Sequence, residues 1–241
     1  MKYADLTLAT PAENLALDEA LLDECESGAG DEVLRFWEAR ERFVVLGYGN
    51  EVVKEVNIEA CHDGAVPVFR RTSGGGTVLQ APGCLSYALV LRIEAGGPLD
   101  SIPGTNAFVL QRNAAALSRL LGQVVTVEGH TDLVIAGRKF SGNSQRRKRH
   151  ALLFHGTLLL KMDLAMVGRF LRMPSQEPDY RRTRPHADFL TNAGLAAETC
   201  RRTLREAWGA QDQIGQIPFA RVHALVSEKY GDPRWNLRID A

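Results

Sequence analysis

The stretch Phe69-Arg70-Arg71-Thr72-Ser73-Gly74-Gly75-Gly76-Thr77-Val78 constrains this chain more than any other. Three consecutive glycines have no side chains to pack and lose the most backbone entropy on folding, so they do not belong inside a helix or a core strand. They stand between apolar, β-rich runs, which makes them a loop joining two strands. Such a loop lets backbone approach a ligand closely and lets N–H groups turn toward an anion. The two arginines before it supply forked donors suited to a carboxylate or a phosphate.

Short apolar runs surround this loop. Val33–Trp37, Phe43–Gly47, Val66–Phe69, Tyr87–Leu91, Val124–Val127, Leu133–Ile135 and Leu152–Phe154 read as strands. Ala136-Gly137-Arg138 reads as a hairpin turn. Thr10-Pro11-Ala12-Glu13 opens a helix: Thr10 can cap, Pro11 suits the first helical position, and Glu13 completes a capping box. The apolar face that follows ends at Gly28. Helical periodicity returns from Gly104 to Leu121, after Asp163, near Ala196–Trp208 and near Pro218–Tyr230, with a polar break from Pro174 to His186. This order is not a regular βαβ alternation. The expected fold class is α+β, a mixed or antiparallel sheet flanked by helices, in one domain over residues 1–241. No G-x-G-x-x-G follows a strand and no Walker A motif is present, which disfavours a dinucleotide fold and a P-loop.

Lysine plus arginine balances aspartate plus glutamate at 29 each, which argues against bulk binding of nucleic acid. The arginines are nevertheless clustered, at Arg70-Arg71, Arg146-Arg147-Lys148-Arg149 and Arg181-Arg182-Thr183-Arg184. The cluster from Arg146 to Arg149 reads as a solvated loop, or more sharply as a landing patch for an acidic partner. Cys25, Cys61, Cys84 and Cys200 form no C-x-x-C pair, so neither a zinc site nor a dithiol is expected, and so few cysteines suit a reducing cytoplasm. The first residues lack a signal peptide's apolar stretch, and no apolar run is long enough to span a membrane.

Two further segments carry candidate chemistry. Lys139 stands just past the hairpin turn, at the head of the small, polar run Ser141-Gly142-Asn143-Ser144. An ammonium there can stabilise negative charge growing on an acyl or phosphoryl oxygen. His155-Gly156 sits in the strand-like segment Leu153-Phe154-His155-Gly156-Thr157-Leu158-Leu159; alone it reads as structural, and beside the other two segments as a site wall.

In this order and spacing, R-R-x-S-G-G-G-x-V, D-L-x-x-x-G-x-K-x-x-G and H-G-T-L-L resemble the lipoate–protein ligase family, grouped with biotin ligases and octanoyltransferases. Tyr180–His186 and Tyr230–Asn236 also look like the family, so the resemblance covers nearly the whole chain. It implies the ligase catalytic fold and a two-step reaction. Lipoate and ATP give lipoyl-AMP, and a lysine of a carrier domain, of the H protein or 2-oxoacid dehydrogenase E2 type, then takes the acyl group. On this resemblance Lys139 is the catalytic residue. Arg70, Arg71, Ser73, Gly74, Gly75, Gly76, Thr77, Asp132, Ser141, Gly142, His155 and Gly156 bind substrate or adenylate, Asp132 also helps hold Mg2+, and an apolar tunnel takes the acyl chain.

The chain departs from the family pattern at Gln80, where many ligases have His, at Cys84, where many have Asn, and at Thr131, where Asn is usual before Asp-Leu. These changes bear on acyl choice and nucleotide contacts. Many ligases also continue past the W-N segment into a small C-terminal domain. The expectation here is a one-domain form, with a separate accessory domain as a possible partner, or a transferase that never uses ATP. The alternative activity is an octanoyl or lipoyl transfer between carriers through a Cys84 thioester; a non-catalytic relative is a further reading. A biotin ligase is disfavoured because G-R-G-R-x-G is missing.

Overall fold

A computed structural model describes residues 1–238. In chain order the elements are β1 (Lys2–Asp5), α1 (Pro11–Ser27), β2 (Val33–Glu38), β3 (Phe43–Leu46), α2 (Val52–Glu55), α3 (Ile58–Asp63), β4 (Val68–Arg70), β5 (Val78–Gln80), β6 (Cys84–Arg92) and α4 (Ile102–Leu121). They continue as β7 (Val125–Glu128), β8 (Asp132–Ile135), β9 (Arg138–Arg147), β10 (Ala151–Leu159), α5 (Ala165–Phe170), α6 (His186–Phe189), α7 (Ala197–Trp208), β11 (Asp212–Gln213), α8 (Phe219–Leu225) and α9 (Pro233–Leu237). The strands make an eight-stranded sheet, β11-β1-β2-β6-β10-β9-β8-β7, and a three-stranded sheet, β4-β3-β5. The pairs β11–β1, β1–β2 and β3–β4 are parallel and the others antiparallel, so the fold is the mixed α+β arrangement expected.

Local chemistry explains the elements that position the site. Thr10 caps α1 through the Glu13 N–H while Glu13 returns a bond to the Thr10 N–H, and Gly28 ends the helix in the left-handed region. Ala136 and Gly137, with φ of 48° and 75°, make the tight turn between β8 and β9, the positive-φ pair that two-residue hairpins prefer.

The large sheet has two different faces. One buries Leu34, Phe36, Tyr87, Leu89, Leu133, Phe140 and Phe154 against α4 and α7. On the other, Val33, Trp37, Ala88, Val90 and Leu153 pack under α1 and α8. The small sheet packs with α5 and α6 around Val44, Leu46, Phe170 and Phe189. No helix among the described residues is long and apolar enough to cross a membrane.

Candidate functional site

The strand register assembles the site. Residues directly opposite on neighbouring strands share a face of the sheet. Trp37, Ser86, Thr157, Gly142 and Asp132 form one such row across five strands, and Arg35, Ala88, His155 and Ser144 form the next row of the same face. Lys139 joins this face by an irregularity. The pairing shifts between Leu133 and Val134, so that Leu133 opposes Ser141 while Val134 opposes Lys139. Without the extra residue Lys139 would point away from Gly142; with it, both face the same way.

The ammonium of Lys139 pairs with Asp132 Oδ1 at 2.8 Å, and Asp132 Oδ2 accepts from the Tyr180 hydroxyl at 2.7 Å. Burial, and then Asp132 itself, push the Tyr180 phenol well above its ordinary range, so it stays a neutral donor. Tyr180 comes from the polar segment that straps the β8–β9 hairpin, where Arg184 donates to the Gly137 carbonyl and Arg138 to that of Ala187.

The glycine loop meets the same sheet face further along β9. Ser144 Oγ donates to the Gly74 carbonyl at 2.8 Å, and Gly142 and Ser144 are two residues, ~7 Å, apart on the same face. Gly74, Gly75 and Gly76 are exposed, while Thr72 and Ser73 beneath them are buried. Arg71 secures the loop from below: Nε donates to Ser73 Oγ at 3.0 Å, and Nη2 donates to the carbonyls of Gly74 and Gly76 at 2.5 and 2.8 Å. Burial pushes Arg71 down to about 10. Ser73 Oγ lies 2.5 Å from His155 Nε2. Gln80 Nε2 donates to Thr157 Oγ1 at 2.6 Å, tying β5 to the floor of the site. Thr77 stands at the exit of the loop, and its Oγ1 has no partner among the described residues.

Several expected roles change. Arg70 is fully buried and faces away from the ligand space; its guanidinium donates to the carbonyls of Gly47, Tyr48, Asn50 and Trp235, clamping the loop after β3 to α9. Ser141 faces the core, opposite Leu133 and Leu158, and so cannot hold an adenylate with its hydroxyl. Gly156 serves the same core face: a Cβ there would stand 1.8 Å from Asn143 Oδ1, which fills the space and accepts from Tyr87. Asp132 holds Lys139 through Oδ1 and Tyr180 through Oδ2, and no cluster of three or more His, Cys, Asp or Glu that could hold a metal ion occurs among the described residues. Cys84 is fully buried against Met162, and burial pushes its thiol up to about 11, the reverse of what a nucleophile needs. An apolar cavity of about 800 Å³ exists, but Val52, Ile58, Val66, Phe69 and Leu237 line it, with neither Lys139 nor the glycine loop. In the basic cluster Arg147 is bonded to Thr105 and Leu99, and Lys148 to Asp23; Arg146 and Arg149 are exposed.

Sequence reasoning missed Asp18, Arg35, Tyr180 and Thr157. The register brings Arg35 and Thr157 to this face, while Asp18 of α1 and Tyr180 of the strapping segment reach it through their contacts with Arg35, His155 and Asp132. Tyr180 lay within a segment already singled out, but nothing in its spacing pointed to Asp132.

The model of the lipoyl protein ligase A/B catalytic domain matches residues 10–193, which include every residue of this face. The chain belongs to that family. Octanoyltransferase LipM of Carboxydothermus hydrogenoformans is 29% identical, over 98% of each chain. A Mycoplasma pneumoniae protein named "Probable lipoate-protein ligase A" is 31% identical over 68% of this chain and 46% of its own length. Among solved structures, the bi-partite lipoate protein ligase of Thermoplasma acidophilum superposes with a TM-score of 0.81 at 23% identity, covering 98% of this chain and 96% of that one. Lipoate-protein ligase A bound with ATP superposes with a TM-score of 0.79, also at 23% identity, covering 98% and 99%. The chain is thus similar both to a protein named as a lipoate-protein ligase and to one named as an octanoyltransferase.

Proposed function

We propose that the chain is a lipoate–protein ligase that activates a lipoyl-type acid with ATP and passes the acyl group to a lysine of a lipoyl carrier domain. One observation carries this reading: the site face holds an amine, Lys139, on the strand that touches the glycine loop through Ser144, while all four cysteines are buried, Cys84 included. A transferase working through a thioester needs an accessible thiol with a lowered pKa.

In the first step a carboxylate oxygen attacks the α-phosphorus of ATP. The bond to the bridging oxygen breaks and pyrophosphate leaves. In the second, the carrier amine attacks the acyl carbon, the C–O bond to AMP breaks, an amide forms and one proton is released. Lys139 would move its ammonium from Asp132 toward the oxygens on which charge grows. The exposed backbone of Gly74–Gly76, held by Arg71, would close over the mixed anhydride and exclude water. Mg2+ arrives as part of the nucleotide substrate, which needs few ligands from the protein. The carrier is of the H-protein or E2 type, and a separate accessory domain is a second partner, as in the bi-partite ligase of the same fold.

The test is mass spectrometry of the protein after exposure to lipoate and Mg-ATP, alone and with a lipoyl domain. A retained acyl-adenylate, or pyrophosphate released in step with carrier modification, supports the reading. A second reading, octanoyl transfer without ATP, is favoured by the near full-length match to octanoyltransferase LipM. It predicts carrier modification from an octanoyl-carrier thioester with nucleotide absent.

A further inference from the structure

Beneath the glycine loop lies a charged network that the proposed reaction does not use directly. Asp18 and Asn14, one turn apart on the buried side of α1, meet Arg35 of β2. Arg35 is wholly buried and donates to Asp18 Oδ1, to Asn14 Oδ1 at 2.7 Å, to the Asn14 carbonyl at 2.8 Å and to the Leu6 carbonyl at 3.1 Å. The second oxygen of Asp18, Oδ2, faces His155 Nδ1 at 3.5 Å. From His155 the line continues through Nε2 to Ser73 Oγ at 2.5 Å, from Ser73 to Arg71, and from Arg71 to the carbonyls of Gly74 and Gly76.

Stability does not explain this arrangement. Desolvating two charges offsets most of what their attraction returns, and apolar residues of similar volume commonly do as well. The surroundings of Asp18 and Arg35 are apolar already: Leu17, Leu21, Val33, Trp37 and Ala88 pack into the same cluster. What the pair supplies is direction. The Ser73 oxygen already accepts from Arg71 Nε, so its one hydrogen is free to be donated to His155 Nε2. That requires Nε2 to be bare and Nδ1 to carry the ring hydrogen, the tautomer favoured by a carboxylate facing Nδ1.

We propose that Asp18 is a positioning residue. Held by Arg35, it fixes the ring plane and tautomer of His155, so that Ser73 and Arg71 hold the glycine loop in one closed shape over the site. The consequence for catalysis rests on the proposed function; the consequence for the loop does not. Three glycines have the greatest freedom to lose, so a loop without this line of bonds would sample many shapes and bind the acid poorly.

The test uses Asp18→Leu/Arg35→Met, which removes both charges together and leaves neither unpaired. The double variant is expected to fold, with Tm within about 4 °C of the parent. Amide hydrogen exchange over Thr72–Thr77 is expected to quicken at least tenfold (~10-fold or more), with KM for lipoate rising by a similar factor and kcat changing less. Adding Ser73→Ala to it is expected to cause little further loss, because both act through one line. Unchanged loop exchange in a folded double variant overturns the proposal. Should the variant fail to fold, nitrogen NMR of His155 in the parent decides: the Nδ1–H tautomer supports the proposal and the Nε2–H tautomer overturns it. A loosened loop in a protein whose parent makes no adenylate would leave the positioning intact and remove the ligase reading instead.

Discussion

Lys139 lies across the bare α-carbon of Gly142: a methyl group at position 142 would stand 2.8 Å from the lysine Nζ. Three residues apart in an ordinary strand, the two would face opposite ways; the bulge at Phe140 and Ser141 brings them together. The G-x-K-x-x-G spacing is therefore a packing requirement. The second glycine leaves room for the ammonium to reach Asp132 along the sheet surface.

Gly142→Ala should consequently leave the fold nearly intact and displace Lys139. Only the flexible end of a side chain must move, so stability should change by less than about 1 kcal/mol. Pyrophosphate release should fall about 10-fold to 100-fold, in the range of losing an oriented charge at the reaction centre. Gly156→Ala should do the opposite. Its methyl would meet Asn143 Oδ1 at 1.8 Å, forcing a core amide and its bond to Tyr87 apart, so unfolding should show a loss of about 1–3 kcal/mol. Urea unfolding and a pyrophosphate assay on both variants separate the two roles; equal stability losses would contradict the assignment.

Cys84→Ser should retain activity within about twofold, because the thiol is buried against Met162 and held protonated at about 11. The expected cost is in stability, ~1 kcal/mol for a hydroxyl placed in an apolar site. An acylated Cys84 in a trapped reaction, found by peptide mapping, would refute this.

Tyr180→Phe removes the donor on Asp132 Oδ2 and leaves that carboxylate oriented by Lys139 alone. Adenylate formation should drop about threefold to tenfold, the size of one charge-assisted hydrogen bond. Because burial keeps the Tyr180 phenol far above its usual range, the parent should show no loss of activity from Tyr180 ionising below pH 10. Matched pH–rate profiles of parent and variant check both statements.

Acid stability should report Asp18. Burial alone would raise this carboxyl, but the Arg35 guanidinium and then His155 hold it below the ordinary carboxylate range. A depressed folded value contributes stability that is complete above the unfolded value, about 3.9, and is lost as pH falls below it. Between pH 6 and pH 3 the parent should therefore lose stability more steeply than Asp18→Leu/Arg35→Met. Parallel urea curves for the two proteins across that range would count against the buried ion pair as described.

Much of the fold is written in local chemistry. The capped start and glycine stop of α1, the hairpin at Ala136-Gly137 and most strands of the large sheet are legible because each depends on neighbours in sequence. The long β9 is not: Gly142, Ser144 and Gln145 look like a loop, and only pairing with β8 and β10 makes them a strand. The short β1 and β11 are hidden for the same reason: β11 is an edge strand that pairs with β1 alone, and β1 is held between β11 and β2, each pairing being parallel. At the site, motif spacing marks Lys139 and Asp132, which form an ion pair, and Arg71 and the glycine loop, which are hydrogen-bonded to each other. It cannot tell which side of a strand a residue faces, so it assigns Ser141 and Gly156 to the ligand when both serve the core. Arg70 misleads similarly; its five donors suit a carboxylate and equally suit the ring of carbonyls it holds. Asp18 and Arg35 are invisible because a charged residue in an apolar run reads as exposed until its partner is known.

In the proposed reaction Lys139 serves an ATP-driven activation. The most direct measurement follows modification of a lipoyl domain by parent and Lys139→Met under two conditions: lipoate plus Mg-ATP, and an octanoyl-carrier thioester without nucleotide. The predicted result is modification only in the first, with one pyrophosphate per acyl group, and at least about a 100-fold loss in Lys139→Met. Modification from the thioester with nucleotide absent, or an undiminished rate in Lys139→Met, would contradict it.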